Sequence, residues 1–453
     1  MSKIWIDVTN VIAGFEIHGY SRIEAEISRA ALTLPPVGFL LFEQEEVFEI
    51  SHDQLRESIA LKPKTAGSIS NKEPQAKLGL FLAKVFSTIK QLADSYRLST
   101  QQILLTPARN VLRNSAIAFL GPLRRYMDVR NPPALVVGGM SWTSKPEIRS
   151  SVAFEPDDWI VFTGAAWKTS NLLALERFRE NNKLRYSFLV ADLVPMKFPH
   201  LVLREHLRHW VTYFSYLPWI ADNIFVLSRS GSLEVDQLLK GAGRQLEVRV
   251  NMLEPSAEHV LRVSPSKPAG LSSGPFFLAV STIEARKNHH FILEVFRRLI
   301  ESGEDPPTLI LVGKYGWGSE LIKNAVDLDP TFGPRGDRKV VVLQSASDSE
   351  LAWLYKNAVA TLQASHHEGW GFAVQEALAH GSRVLVSDKG ALPEFEQKGA
   401  VVIPLDVKVW IEHLLAAVEL RDVTSSAAHD SNPVPGLTWA ETLGNLISTL
   451  DEI

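Results

Sequence analysis

Residues 361–394, TLQASHHEGWGFAVQEALAHGSRVLVSDKGALPE, decide the fold. An apolar strand ends near 363, and a loop follows with the run Glu368, Gly369, Trp370, Gly371, Phe372. A helical pattern runs from Ala373 to about Ala379 and stops at Gly381. RVLVSD then reads as a second strand, and a turn closes on Pro393-Glu394. Loop, helix and strand in that order make one step of a βαβ layout. Glu368 sits on the loop and Glu376 inside the helix, eight positions on. Eight residues are a little over two helical turns, so a helix reaching back towards the loop would point both carboxylates to one side. The glycines permit close approach of backbone to a bound group, and the free N–H groups of a helix start suit an anion. The stretch reads as a cradle for a molecule with both hydroxyls and phosphates. The plainer alternative is a solvated helix face with an ordinary capping glutamate.

Working outward, the 453 residues allow two or three domains. Hydrophobic content of 45% with 22% charged residues is that of a globular chain. No run of about 18 apolar residues is present, so no transmembrane helix is expected. MSKIWIDVT reads as a strand rather than a signal segment. The absence of cysteine excludes disulfides, thiolate metal sites and a cysteine nucleophile, and fits a cytoplasmic location. A net charge of −4 gives no electrostatic case for nucleic acid. The charge is uneven, however: residues 51–130 hold 13 Lys and Arg against 5 Asp and Glu.

The chain opens as a doubly wound α/β domain. KIWIDV is a strand, Gly14 and Gly19 mark a loop, Arg22 to Leu32 has helical spacing, and VGFLLF is a second strand. Residues 44–130 interrupt this rhythm as an insertion. A polar stretch with KPKTAGSISNKEP precedes two basic helical patterns, at 76–96 and about 101–128, which suit an anionic membrane surface or a hairpin packed on its own domain. Strands return at 134–138, 158–163, 185–190 and in NIFVLS, where Ser228 and Ser230 mark a strand end and a helix N-cap. RVSPSKPAGLSSGP, 262–275, is the best domain linker. A second series then alternates strands at 276–280, 308–312, 339–343, 359–363, 383–387 and 400–403 with helices. The helix at 348–357 is opened by Asp348 with Glu350 in its first turn, and GLTWAETLGNLISTL closes the chain as an amphipathic helix. The expected domains are 1–262, 275–436 and a terminal helix 437–453.

Ligands bind at strand carboxyl ends in such sheets. In the second domain those ends carry Arg286 and Lys287, then Gly313, Lys314 and Gly316, then Glu368, Gly369 and Gly371, with Glu376 on the helix. Cations with a helix N-terminus neutralise a diphosphate, and a carboxylate accepts from a ribose diol or sugar hydroxyls. Together these describe a sugar nucleotide. The alternative for Arg286-Lys287 is a solvated loop pair.

The second half resembles the retaining GT-B glycosyltransferases, specifically the large family four of bacterial polysaccharide, O-antigen and capsule enzymes. The resemblance is carried by the two glutamates eight apart, EGWGF, EALAHGSRVLVSD, the LPE turn, IEARKNHHFILEVF and SDSELAWLY. IDVT, HGYSRIEAEI, ADLVPMKFP and IFVLSRS are similar to landmarks of the family's first domain, and WAETLGNLISTL to the helix that crosses back to it. The resemblance covers most of the chain outside 44–130.

It implies that Glu376 holds the donor ribose, that Glu368 faces the transferred sugar, and that Gly369, Gly371 and Phe372 bring backbone N–H groups to sugar or phosphate. It further implies that Lys287 binds the diphosphate, and that Gly19 and Arg22 close over the phosphates from the other domain, with Ser228, Gly313 and Lys314 also on the donor side. Two departures stand out. Thr282 occupies the place of a family arginine five residues before the lysine, leaving Arg286 to supply that charge. Ala191 stands where a histidine often precedes the aspartate, leaving Asp192 as the polar candidate near the reacting carbon, with a cap on the following turn as its alternative. The implied reaction moves a hexose, with retention, from a nucleoside-diphosphate sugar to a growing or lipid-linked glycan. It uses no metal and no cofactor beyond that co-substrate, and GDP-mannose is the first donor by family analogy. A peripheral place on the inner membrane is a further expectation through 76–130. The competing functions are an epimerase or phosphorylase on the same frame and a non-catalytic scaffold that binds sugar nucleotides.

Overall fold

A computed structural model describes residues 3–12, 20–33, 37–43, 46–60, 152–164, 172–332, 339–424 and 436–453. The two basic helical patterns at 76–96 and 101–128, the strand at 134–138 and Gly19 lie outside these residues.

The first sheet has seven strands: β1 (Ile4–Asp7), β2 (Val37–Glu43), β3 (Glu46–Ile50), β4 (Trp159–Phe162), β5 (Arg185–Val190), β6 (Asn223–Val226) and β7 (Arg249–Met252). Their order is β3-β2-β1-β4-β5-β6-β7, and every pairing is parallel except β2 with β3. Strands buried on both faces read as continuous apolar runs, and β1, β4 and β6 are buried throughout. The helices of this half include α1 (Tyr20–Ala31), α2 (His52–Ala60), α3 (Leu172–Asn182), α4 (Arg204–Ile220) and α5 (Arg229–Gly241).

The second sheet has six parallel strands, β8 (Phe276–Val280), β9 (Thr308–Val312), β10 (Val340–Leu343), β11 (Ala360–Gln363), β12 (Val384–Ser387) and β13 (Val401–Ile403). The order is β10-β9-β8-β11-β12-β13, so direction of winding reverses between β8 and β11. This half carries α6 (His289–Glu301), α7 (Glu320–Leu328), α8 (Asp348–Asn357), α9 (Phe372–Ala379) and α10 (Val407–Thr424). Ile292, Leu293, Val295, Phe296 and Leu299 face inward on α6, the i, i+3, i+4, i+7 stripe of a helix laid on a sheet. The terminal helix α11 (Trp439–Asp451) opens with a capping box between Thr438 and Glu441. It packs on α1, with Trp439, Leu443, Leu446 and Leu450 buried in one cluster with Ile23 and Ile27.

Two readings of the sequence need correction. The interruption expected from residue 44 does not begin there, because 46–50 folds back as an antiparallel edge strand and 52–60 as α2. EVFEI has only Val47, Phe48 and Ile50 as apolar residues, too few to stand out as a strand, and only two residues separate it from β2. Strand β7 and helix α10 are additions: RVNM is short and half polar, and in α10 Arg421 falls on the other side from Lys408, Glu412 and Glu419, which blurs its apolar face. Helix α8 opens at Asp348 with Glu350 in its first turn, as expected, and Ser347 caps it: the Ser347 hydroxyl accepts from Glu350 N while Glu350 accepts from Ser347 N.

Candidate active site

The reversal between β8 and β11 positions the site. Adjacent strands on either side of such a point send their connections opposite ways, which opens a crevice at their carboxyl ends. Strand β8 leads into residues 281–287 and strand β11 into residues 364–371, so Arg286 and Lys287 come to lie against Glu368.

Glu368 is buried, at 5% exposure. One of its oxygens, Oε1, accepts from Lys287 Nζ at 2.6 Å, Ser365 Oγ at 2.6 Å and Gln363 Nε2 at 2.9 Å. The other, Oε2, accepts from Arg286 at 2.8 Å. Arg286 also donates to Glu284 at 3.0 Å and to the carbonyl of His367 at 3.2 Å. Burial alone would raise the Glu368 carboxyl, but Lys287 and Arg286, helped by the Lys287 and Ser365 hydrogen bonds, hold it at about 2. Burial, with Arg286 alongside, lowers Lys287 in spite of Glu368. The backbone of Glu368 is clasped as well. A side chain at Gly390, which has φ +58, would reach within 2.4 Å of the Glu368 carbonyl.

Asp192 stands at the end of β5 in the first domain. Its Oδ1 accepts from Val194 N at 3.2 Å, so it does cap the following turn. It also lies close enough to Arg286, Glu368 and His367 to feel their charges, while burial raises its carboxyl. The reason is a direct contact between domains. A Cβ on Gly369 would fall 1.8 Å from the Ala191 carbonyl and 2.6 Å from Asp192 Cβ, so only glycine lets the two loops meet. Beside it, the His367 ring lies 5.2 Å from Phe198, and its Nε2 lies 3.1 Å from Glu234 on α5.

Glu376 forms a second buried cluster. Its Oε1 accepts from Arg22 at 2.8 Å and lies 3.3 Å from His259 Nε2, and its Oε2 accepts from Tyr355 at 3.0 Å. Arg22 NH1 is 2.9 Å from the same His259 nitrogen. Burial raises the Glu376 carboxyl, and His259, Arg22 and Tyr355 together bring it below its ordinary value.

The remaining residues distribute as follows. Gly371, at φ +130, is the residue before α9, and Phe372 is the first of that helix. Gly313, at φ +150, packs on the Ser281 carbonyl, and the carbonyl of Lys314 accepts from Ile283 N, which lays the glycine-bearing loop along the segment leading to Arg286. Ser228 is fully buried and its hydroxyl caps α5 by accepting from Gly231 N. The start of α5 is occupied by Glu394, whose two oxygens accept from Arg229 N and Ser230 N at 3.0 Å each. Tyr355, His259, Gln363, Ser365, Gly390 and Glu394 were not singled out from sequence. Ser365, Gly390 and Glu394 lie within the opening stretch, and Tyr355 in SDSELAWLY, so position in a motif was the available signal. Among the described residues no group of three His, Asp or Glu is arranged to hold a metal ion, and no helix is long and apolar enough to cross a membrane.

This crevice lies within a segment that matches a known family over residues 266–428, glycosyl transferases group 1. Over 281 residues the chain is 27% identical to the serotype-specific mannosyltransferase WbdA of Escherichia coli, covering 58% of this chain and 33% of that protein. Over 151 residues it is 30% identical to the O-antigen chain mannosyltransferase RfbU of Salmonella typhimurium, covering 33% of this chain and 40% of the other. The chain thus spans about a third of the length of WbdA. Among solved structures, Anabaena HepE in complex with UDP and glucose aligns at 13% identity and TM-score 0.56, over 100% of both chains. Trehalose-6-phosphate synthase OtsA aligns at 12% identity and TM-score 0.56, over 100% of this chain and 99% of its own. These likenesses establish the fold, the two facing Rossmann-like domains of GT-B, and the segment that matches glycosyl transferases group 1 is the second of them.

Proposed function

We propose that the protein is a retaining glycosyltransferase that moves a hexose from a nucleoside-diphosphate sugar to a growing or lipid-linked glycan. The observation that carries this reading is the Glu368 carboxylate, held by Lys287 and Arg286 at the strand switch point and faced by Asp192 from the opposite domain. Mannose from GDP-mannose is the first donor to test, because WbdA and RfbU are named mannosyltransferases.

In this reading the sugar lies between Glu368 and Asp192, and its hydroxyls donate to Glu368. The bond from the anomeric carbon to the diphosphate oxygen breaks, and the electron pair leaves with the diphosphate. Lys287 stabilises the negative charge that grows there, an interaction stronger in the transition state than in the ground state. Arg286, shared between Glu368 and Glu284, adds a second positive charge beside Lys287 and orients Glu368. The acceptor oxygen attacks the same face and gives its proton to the departing phosphate, so neither a metal nor a protein base is required. Glu376, with Arg22 near it, belongs to the ribose end. Gly371 and Phe372 lie at the start of α9, between the two glutamates.

The test is a panel of nucleoside-diphosphate hexoses offered with a lipid-linked glycan acceptor, with and without chelator. The anomeric configuration of the product is read by proton NMR. Transfer with retention, insensitive to chelator, is the expected result. Inversion would sink the mechanism, and binding without turnover of any donor would sink the enzyme reading.

A further inference from the structure

Glu376 is buried and already satisfied, by Arg22 and His259 of the first domain and by Tyr355 of its own. Arg22, in the first turn of α1, reaches across to within 2.8 Å of its Oε1 and lies 3.9 Å from Asp348 at the start of α8. Tyr355 takes the opposite oxygen, and His259 closes the remaining side. At 7% side-chain exposure, a carboxylate cannot shed its countercharge without a large penalty. A ribose diol is neutral. It can replace the hydrogen bonds of Arg22 but not its charge, so a nucleoside alone would leave a buried anion and a displaced cation without new partners. A diphosphate carried by the same molecule offers the displaced guanidinium a bidentate anion, the geometry it binds best.

We propose that Arg22 is a specificity gate on Glu376, released only by a ligand that brings ribose and diphosphate together. This rests on the reading of Glu376 as the ribose ligand and goes beyond it. Arg22 is then not a passive phosphate contact. It excludes nucleosides from the site and links occupation of the ribose end to a movement of the first domain's α1 against the second domain. The Arg22–Glu376 ion pair is exchanged for two contacts to one molecule.

The experiment is titration calorimetry of the full chain with GDP, UDP, ADP, CDP and dTDP, each beside its nucleoside, for the native protein and Arg22→Ala. The native protein is expected to bind one diphosphate far more tightly than its nucleoside. In Arg22→Ala the diphosphate weakens about tenfold while the nucleoside tightens about tenfold, a hundredfold collapse of the preference. Circular dichroism checks the fold. Arg22→Lys, which keeps charge but not the fork, covers a failure of the alanine variant and is expected to shift both ligands in the same directions by a smaller factor. If nucleoside binding is unchanged or weakens in step with the diphosphate, the gate is overturned while the donor site stands. If no diphosphate binds the native protein, the ribose reading falls and the gate with it.

Discussion

Lys287 Nζ lies 2.6 Å from Glu368 Oε1, and both residues sit where β8 and β11 part. The pair makes stability depend on pH in a defined direction. The folded-state value of Glu368 is about 2 against an ordinary 4.5, so its contribution is fully present above about pH 4.5. It is lost as pH falls through about 2. The difference corresponds to about 3 kcal/mol. Urea unfolding between pH 6 and pH 2 should show a steeper acid limb for the native protein than for Glu368→Gln. Parallel limbs would mean that the ion pair contributes nothing. The same variant should lower transfer by about a hundredfold or more, since it removes the charge that Lys287 and Arg286 were placed to hold.

A second expectation concerns the oxygen of Glu376 that Arg22 does not touch. Tyr355→Phe removes the donor to Oε2 and leaves that oxygen buried without its partner, at a cost of roughly 1–3 kcal/mol. If the tyrosine only orients Glu376 for the donor, KM for the sugar nucleotide should rise about tenfold with kcat nearly constant. A fall in kcat with KM unchanged would place Tyr355 in the chemical step instead.

How much of this could be read from the chain follows from what each feature depends on. The strands of the second sheet are continuous apolar runs bounded by glycine and polar turns, so FFLAV, TLILV and the ATLQ strand were legible within a residue or two. Glu368, Lys287 and Arg286 were legible as a group because strand-end position is a local property. Their mutual bonding was not. Whether two cations beside a strand end meet a ligand or a carboxylate depends on which strands are neighbours, and that is decided by sheet order. For the same reason the contact of Arg22 with Glu376 was not legible, because it depends on how α1 meets α9 across the two domains. Tyr355 and His259 escaped notice because a tyrosine and a histidine in helical surroundings carry no chemical signature until a buried charge lies beside them. Strand β3 was missed for want of a long apolar run, the usual weakness of pattern reading at sheet edges.

The contact at Gly369 bears on domain closure. Its substitution by alanine would drive a methyl group into the Ala191 carbonyl, and the nearest relief is separation of the two loops. Gly369→Ala should therefore leave secondary structure by circular dichroism intact while increasing the radius of gyration in small-angle scattering. Transfer should fall at least tenfold as Asp192 withdraws from Glu368. An unchanged scattering profile with full activity would show that the loops accommodate the methyl without moving.

Glu394 supplies the clearest test of what holds the domains together away from the chemistry. Its carboxylate sits on the first two N–H groups of α5, with Ser228 capping the third, so a helix start in one domain is completed by an acid from the other. The N-terminal end of a helix favours such a charge by about 0.3–1 kcal/mol, and two unmet N–H groups at a partly buried end add to that. Glu394→Gln keeps one acceptor and should lower stability by about 1 kcal/mol. Glu394→Lys places a cation against the helix dipole and should cost about twice as much. Both changes should appear in chemical denaturation. They should also make the linker at 262–275 more susceptible to limited proteolysis, because less then holds the cleft closed. Equal proteolysis rates for the native protein and Glu394→Lys would show that the Gly369 contact and the Arg22–Glu376 pair suffice to keep the domains together.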